Sequence, residues 1–171
     1  RLYRDNRLNH IHEGTWGIQG IDILGRKVQM HNGAAVAVLR EEIQVTADSA
    51  AGMSGLAGHC TQLQDALAQI EATVKTVSEA ADPSLALANA TIFLDAMGHV
   101  VIAWMWLKQA VAATRGLQQG NTADTAFYQG KLAATQFFFR YELPKTDASL
   151  ALVAGLDSTC YDLSADQFTG S

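Results

Sequence analysis

The chain has 171 residues, 49% of them hydrophobic and 17% charged, a composition that fits a folded unit with its own core and excludes a disordered segment. Its formal net charge is −5 and it carries no basic tract, which argues against nucleic-acid binding as a main role. Two prolines over this length, Pro83 and Pro144, point to long uninterrupted helices.

The stretch NHIHEGTWGIQG, residues 9–20, is the most crowded with reactive side chains. His10 and His12 stand two apart, a spacing that suits ligands on a strand, but Glu13 then alternates to the opposite face. No glutamate in the chain is followed three positions later by histidine, so the di-metal bundle pattern is absent and no metal site is expected. Gly14, Gly17 and Gly20 form neither the dinucleotide fingerprint nor a phosphate loop ending in Lys-Ser or Lys-Thr. A helix beginning at Thr15 would present free N–H groups near Trp16 and Gly17, a setting that attracts a phosphate or an oxygen of a bound cofactor. Glu13 has no adjacent lysine or arginine and precedes a glycine that permits close approach of a ligand, so it reads either as a general base or as an exposed loop acid.

A first long helix is predicted after this stretch, with Ile18, Ile21, Leu24, Val28, Ala35 and Leu39 on one side and an end at 46–52. The Ala- and Gly-rich part, 47–58, reads as a closely packed helix junction. Met53, Leu56, Cys60, Leu63, Leu67, Ile70, Val74 and Val77 step by three and four, which predicts a helix over about 53–80 with a solvated face of Gln62, Gln64, Asp65, Gln69, Glu71 and Lys75. Asp82-Pro83 reads as an N-cap with proline at the first helical position, opening a helix to about Arg115, with Gly116 as its stop. That helix is apolar on one side through Phe93, Met97, Val100, Trp104, Leu107 and Val111, and on a second through Leu94, Val101 and Met105, as expected of a helix sandwiched between neighbours. Its run from 100 to 107, bracketed by His99 and Lys108, is too short to be a membrane span. Trp104 and Trp106 point to different sides as anchors, and His99 reads as a hydrogen-bonded core residue; His31 and His59 are expected inside helices without an evident partner. A fourth helix over 122–142, carrying Phe127, Ala134, Phe138 and Tyr141, is expected to end before Pro144, with a short helix over 149–156 after it.

No segment alternates as a strand does, so the predicted fold is all-α: an antiparallel, up-and-down bundle of about four long helices plus a short C-terminal helix. Cys60 and Cys160 fit no zinc motif and are expected as free thiols in a reducing compartment. The polar, charged start shows no signal peptide, and a first residue of Arg1 suggests a piece of a longer polypeptide.

LYRDNRLNHIHEGTWGIQGIDILGRKV, residues 2–28, resembles the C-terminal part of acyl-CoA dehydrogenases, which read Y-R-D, a spacer, then E-G-T-x-x-I-Q. FLDAMGHVVIAWMWLKQA and FYQGKLAATQFFFRYELP look like the extra helical domain of the larger subgroup, similar to 3-methylmercaptopropionyl-CoA dehydrogenase. The resemblance covers nearly the whole chain. It implies that residues 1–48 end the catalytic helical domain and that 49–171 form the extra bundle domain. It implies Glu13 as the base that removes the α-proton of an acyl-CoA thioester, with Gly14 and His12 beside the substrate. It further implies FAD in the full-length enzyme, contacted by Thr15, Trp16, Gly17 and Gln19, together with an electron acceptor such as electron-transfer flavoprotein, a homodimer or homotetramer, and a cytoplasmic location. Trp16 and His12 depart from the small polar residue and the tyrosine common at those places, which points to a distinct acyl pocket. The family's flavin site also needs an N-terminal helical domain and a middle β-domain that these residues do not contain, so the isolated chain is expected to be inactive. The competing expectation is a non-catalytic helical module for assembly or partner binding.

Overall fold

The computed structural model describes residues 4–5, 15–120 and 122–169, and these hold helices and turns without a strand. Helix α1 (Trp16–Asp22) continues through a π turn (Ile23–Lys27) into α2 (Met30–Ala50). Then come α3 (Ala57–Ser78), the single turn α4 (Pro83–Ala86), α5 (Ala90–Gln118), α6 (Thr125–Phe137) with a π turn (Phe138–Glu142), α7 (Lys145–Ala154) and the short α8 (Asp166–Thr169).

The first long helix is broken where a single one was expected. His31, Asn32 and Gly33 all adopt left-handed backbone angles, with φ of 52°, 56° and 80°. Asparagine and glycine tolerate that region and histidine less so, so the H-N-G run takes up the bend. The helical phase does not carry across it. Leu24 and Val28 are buried and Leu39 is half-buried as expected, while Ile18, Ile21 and Ala35 are exposed; Val36 and Ile43 join the core instead.

Helix α3 follows its predicted stripe closely, with Leu56, Leu63, Leu67, Ile70 and Val77 buried, although its regular part starts at Ala57 and not at Met53. The preceding junction turns on Gly52 and Gly55, both at positive φ. Asp82 caps α4 as expected: its carboxylate accepts from the N–H groups of Ser84 at 2.8 Å and Leu85 at 3.4 Å. The helix stops after one turn, however, and α5 starts afresh at Ala90. The reason is tertiary. A Cβ on Gly20 would lie 2.8 Å from the Ala90 carbonyl carbon and oxygen, and one on Gly25 would lie 3.3 Å from the Leu87 side chain, so α1 and its π turn cross at this break.

Helix α5 is the central member, packed by α1, α2, α3, α6 and α7. Its buried stripe reads Phe93, Ala96, Val100, Ala103, Leu107, Ala110, spaced three and four residues apart, large and small in alternation. The small members let neighbouring helices come close; the large ones fill the space between them. The second apolar side is only partly covered, with Leu94 and Val101 half-buried and Ile102 and Met105 exposed. By length and composition the α4–α5 segment would also pass for a membrane span, but its buried stripe and surrounding helices make it a bundle core helix.

Gly116 is not the stop. Helix α5 runs on to Gln118, and Gly120 at φ 73° ends it. Gly116 makes room for the Tyr128 ring of α6, whose atoms would lie 2.5 to 3.0 Å from an added Cβ. Gly116→Ala is therefore expected to destabilise by about 1–3 kcal/mol despite alanine's better helix propensity. Urea unfolding checks this: the loss should shrink in a Tyr128→Ala background, where the obstructing ring is gone.

The fourth helix ends at Glu142, before Pro144 as expected, although its last five residues form the π turn. The chain bends through the π turn and resumes as α7 at Lys145, four residues before the expected 149 start, with the Thr146 hydroxyl donating to the Leu143 carbonyl at 2.7 Å. Contacts between α5 and this bent helix fall in antiparallel register: Gly116 with Tyr128, Gln109 with Lys131, Trp106 with Thr135 and His99 with Glu142. Helices α2 and α3 are antiparallel too, joined by Arg40 to Glu71 and Gln44 to Gln64. The up-and-down bundle stands as predicted, with its fourth member bent by the π turn and the last helix starting earlier.

The two tryptophans anchor opposite flanks of α5. Trp104 donates its indole N–H to the Thr46 hydroxyl of α2 at 2.8 Å, and the Trp106 carbonyl accepts from Thr135 of α6 at 3.3 Å. Among the described residues every buried side-chain polar atom has a hydrogen-bond partner.

Candidate functional site

The predicted cofactor-contacting residues Thr15, Trp16, Gly17 and Gln19 share the first turn of α1, and all four are exposed. Glu13, Gly14 and His12, like His10, lie outside the described residues. Thr15 is the N-cap residue, its carbonyl accepting from the Gln19 N–H at 2.7 Å, and its own side chain makes no capping hydrogen bond. The first turn contains no acidic residue, and a Cβ on Gly17 would meet nothing within 4 Å. An uncapped start offers backbone donors that the helix itself cannot satisfy, together with the positive end of its dipole. Trp16 stands 58% exposed beside them. The opposite side of the turn is fixed by buried Gly20 against Ala90. The first turn of α1 is therefore an edge of the bundle, packed behind by Gly20 and exposed in front. Sequence reasoning missed Gly20 as the residue that sets this edge; its small size on the face opposite Ile18 was the available signal.

The remaining polar clusters lie elsewhere. No group of three or more His, Cys, Asp or Glu residues among the described ones is placed to hold a metal. His99 is hydrogen-bonded as expected, its Nδ1 2.8 Å from the Asp95 carbonyl, but it is half-buried and not in the core; its Nε2 lies 3.8 Å from Glu142. The Glu142 carboxyl is held below its usual range by Lys145, which donates to it at 2.7 Å, with His99 adding to the effect. Cys60 and Cys160 are free, and burial pushes the Cys60 thiol up, which disfavours the thiolate a nucleophile needs.

His59 has a partner that the sequence did not reveal. It stacks on Phe139 with ring centroids 4.5 Å apart and borders a groove of about 340 Å³ lined also by Gln62, Gln136, Arg140 and Pro144. Burial lowers its pKa, partly offset by a hydrogen bond with Gln62. The folded state therefore binds the proton less readily than the unfolded chain, whose histidine titrates near about 6.5. This contribution leaves stability untouched above that pH and reduces it as pH falls below. Urea midpoints at pH 7 and pH 5 are expected to differ less in His59→Gln than in the wild type; an equal difference would remove His59 from the acid response.

Comparison with known proteins gives this edge its context. The sequence pattern described as acetyl-CoA dehydrogenase C-terminal like matches residues 39–164. The broad-specificity linear acyl-CoA dehydrogenase FadE5 of Mycobacterium tuberculosis is 29% identical over 174 aligned positions, covering 96% of this chain and 28% of that protein. The 3-methylmercaptopropionyl-CoA dehydrogenase of Ruegeria pomeroyi is 32% identical, covering 86% and 25%. The butyryl-CoA dehydrogenase of Syntrophomonas wolfei is 26% identical, covering 98% and 28%. The chain thus spans about a quarter of the length of these relatives. With the family pattern spread over most of the bundle and full-length alignments around it, this chain belongs to the acyl-CoA dehydrogenase C-terminal-like family.

Proposed function

We propose that this chain is the C-terminal portion of a longer FAD-dependent acyl-CoA dehydrogenase, in the larger subgroup similar to 3-methylmercaptopropionyl-CoA dehydrogenase, and that it is inactive alone. One observation carries the reading: two relatives align over 96% and 98% of this chain, so the E-G-T run falls within the alignment, while the chain fills only 28% of their length. In this reading Glu13 takes the α-proton of the thioester. FAD, when bound, accepts the β-hydrogen as hydride, and loss of both hydrogens leaves a trans-2-enoyl-CoA. A dry pocket would raise the carboxyl's pKa towards the working pH and so strengthen the base. Gly14 and His12 border the acyl-CoA. Thr15, Trp16, Gly17 and Gln19 fit an edge of the cofactor site, because their turn is exposed, uncapped and free of acids.

The same reading divides the polypeptide at 48/49, near the end of α2 and just before the glycine junction. It assigns electron-transfer flavoprotein or an equivalent as acceptor, a homo-oligomeric state and a cytoplasmic location, the last supported by the two free cysteines. A second reading, a non-catalytic module for assembly or partner binding, draws on the exposed aromatic side chains Trp16, Phe127, Phe137 and Tyr141. The longer polypeptide separates the two. Under the first reading it purifies yellow and reduces an artificial electron acceptor when given an acyl-CoA; a colourless, inactive product supports the second.

A further inference from the structure

We infer that the groove between the start of α3 and the π turn is a binding site for a phosphate group, held by Arg140, Gln136 and Gln62 beside the His59 ring. It shares no residue with the first turn of α1 and takes no part in the proposed dehydrogenation.

The lining carries the argument. The groove has a volume of about 340 Å³, and its polar side chains are His59, Gln62, Gln136 and Arg140. Every one of them can donate a hydrogen bond, and none is a carboxylate, in a chain of formal net charge −5. Arg26, Arg40 and Lys145 are spent on Asp22, Glu71 and Glu142. Arg140 makes no such ion pair among the described residues; its contact is the Tyr141 ring, 6.0 Å from the guanidinium carbon. An aromatic face leaves the charge unneutralised and the planar fork of donors available.

The donors stand on both walls, Gln62 and His59 on α3, Gln136 and Arg140 on α6 and the π turn. A tetrahedral phosphate has oxygens for both walls and carries nearly two charges, whereas a carboxylate offers two oxygens in one plane. Asp65 and Asp147 line the next hollow along the same seam, beyond Gln62 and Pro144, and their repulsion confines an anion to the Arg140 end. The rest of the wall includes Phe139 and Pro144, apolar surface that suits the organic part of a phosphate ester.

His59 reports on the site. Its ring is held by stacking on Phe139, and His59 and Arg140 are the titratable groups lining the groove. Burial keeps the ring from taking a proton, so it adds no second positive charge beside Arg140 at neutral pH. An anion in the groove favours the imidazolium. By linkage, whatever factor protonation adds to anion affinity, the bound anion adds to proton affinity.

The His59 ring-proton resonance, assigned by its loss in His59→Gln and followed by NMR over about pH 5–8, tests the site. Sodium phosphate is compared with sodium chloride at matched ionic strength. The expected result is a His59 pKa raised by about 0.5 or more in phosphate, saturating as the phosphate concentration increases. Arg140→Gln, at an exposed position, should keep the helical circular dichroism and lose the rise. Arg115→Gln, which removes another exposed cation on α5, should retain it. Phenyl phosphate separates the two sources of the group: a lower half-saturation than that of the inorganic ion assigns the groove to an ester, an equal or higher one to the free ion. The same His59 pKa in phosphate and in chloride would overturn the inference. So would a rise that survives Arg140→Gln, or one that Arg115→Gln removes.

Discussion

Glu13→Gln in the longer polypeptide is expected to lower turnover of an acyl-CoA thioester by about 100- to 10,000-fold while the flavin remains bound. The amide has nearly the size and shape of the carboxylate, so it fills the same space without accepting a proton. Helix α1 is held from behind by Gly20 on Ala90, seven residues further along, so its seat on the bundle rests on main-chain packing. Steady-state rates with an artificial acceptor, read beside the flavin absorbance, separate the two effects. Undiminished turnover would move the base to another residue; loss of flavin together with rate would make Glu13 a structural acid.

Phe93→Ala is expected to cost about 3–5 kcal/mol of unfolding free energy, a large part of the 5–15 typical of a domain. Phe93 is fully buried, and its neighbours along the α5 stripe, Ala90 and Ala96, are too small to close the cavity. The helix start is also where α1 crosses, so the surrounding backbone has little freedom to collapse inward. Urea unfolding followed by circular dichroism measures the loss. Ile102→Ala, on the open side of the same helix, should change stability by less than about 1 kcal/mol, and similar losses at both sites would contradict the burial pattern.

The helices were readable because their apolar spacing is sustained, as in α3, where five stripe residues from Leu56 to Val77 are buried. What could not be read was where helical phase breaks. The H-N-G bend at 31–33 interrupts an apolar pattern that looks continuous in one dimension, so Ala35 was assigned to a core it does not reach and Val36 was missed. Glycine posed the same difficulty in a different form. Gly116 carries the signal of a helix end, yet its role is set by Tyr128, twelve residues away in sequence and meeting it across a helix pair. Pro144 did mark a helix end, but neither the π turn that closes that helix nor the new helix starting at Lys145 left a signal in the spacing. The candidate site rests chiefly on the order of its motifs. Physical reasoning alone reached a helix start and a lone carboxylate, and the exposed first turn of α1 agrees with the former.

The contact of Gly20 with Ala90 has a bearing on how this chain could be altered. Most helix crossings rest on side chains, and side chains can be exchanged in compensating pairs. Here the nearest neighbours of an added Cβ are main-chain atoms of residues 90 and 91, which no substitution can trim. Position 20 is therefore closed to every larger residue unless α1 lifts away from the bundle. Under the proposed function Glu13 is the base, only two residues before Thr15 in sequence, so such a lift is expected to displace it, and a displacement of about 1 Å can cost a hundredfold in rate. In that reading the bundle serves as a fixed datum, from which the placement of the reacting group is measured.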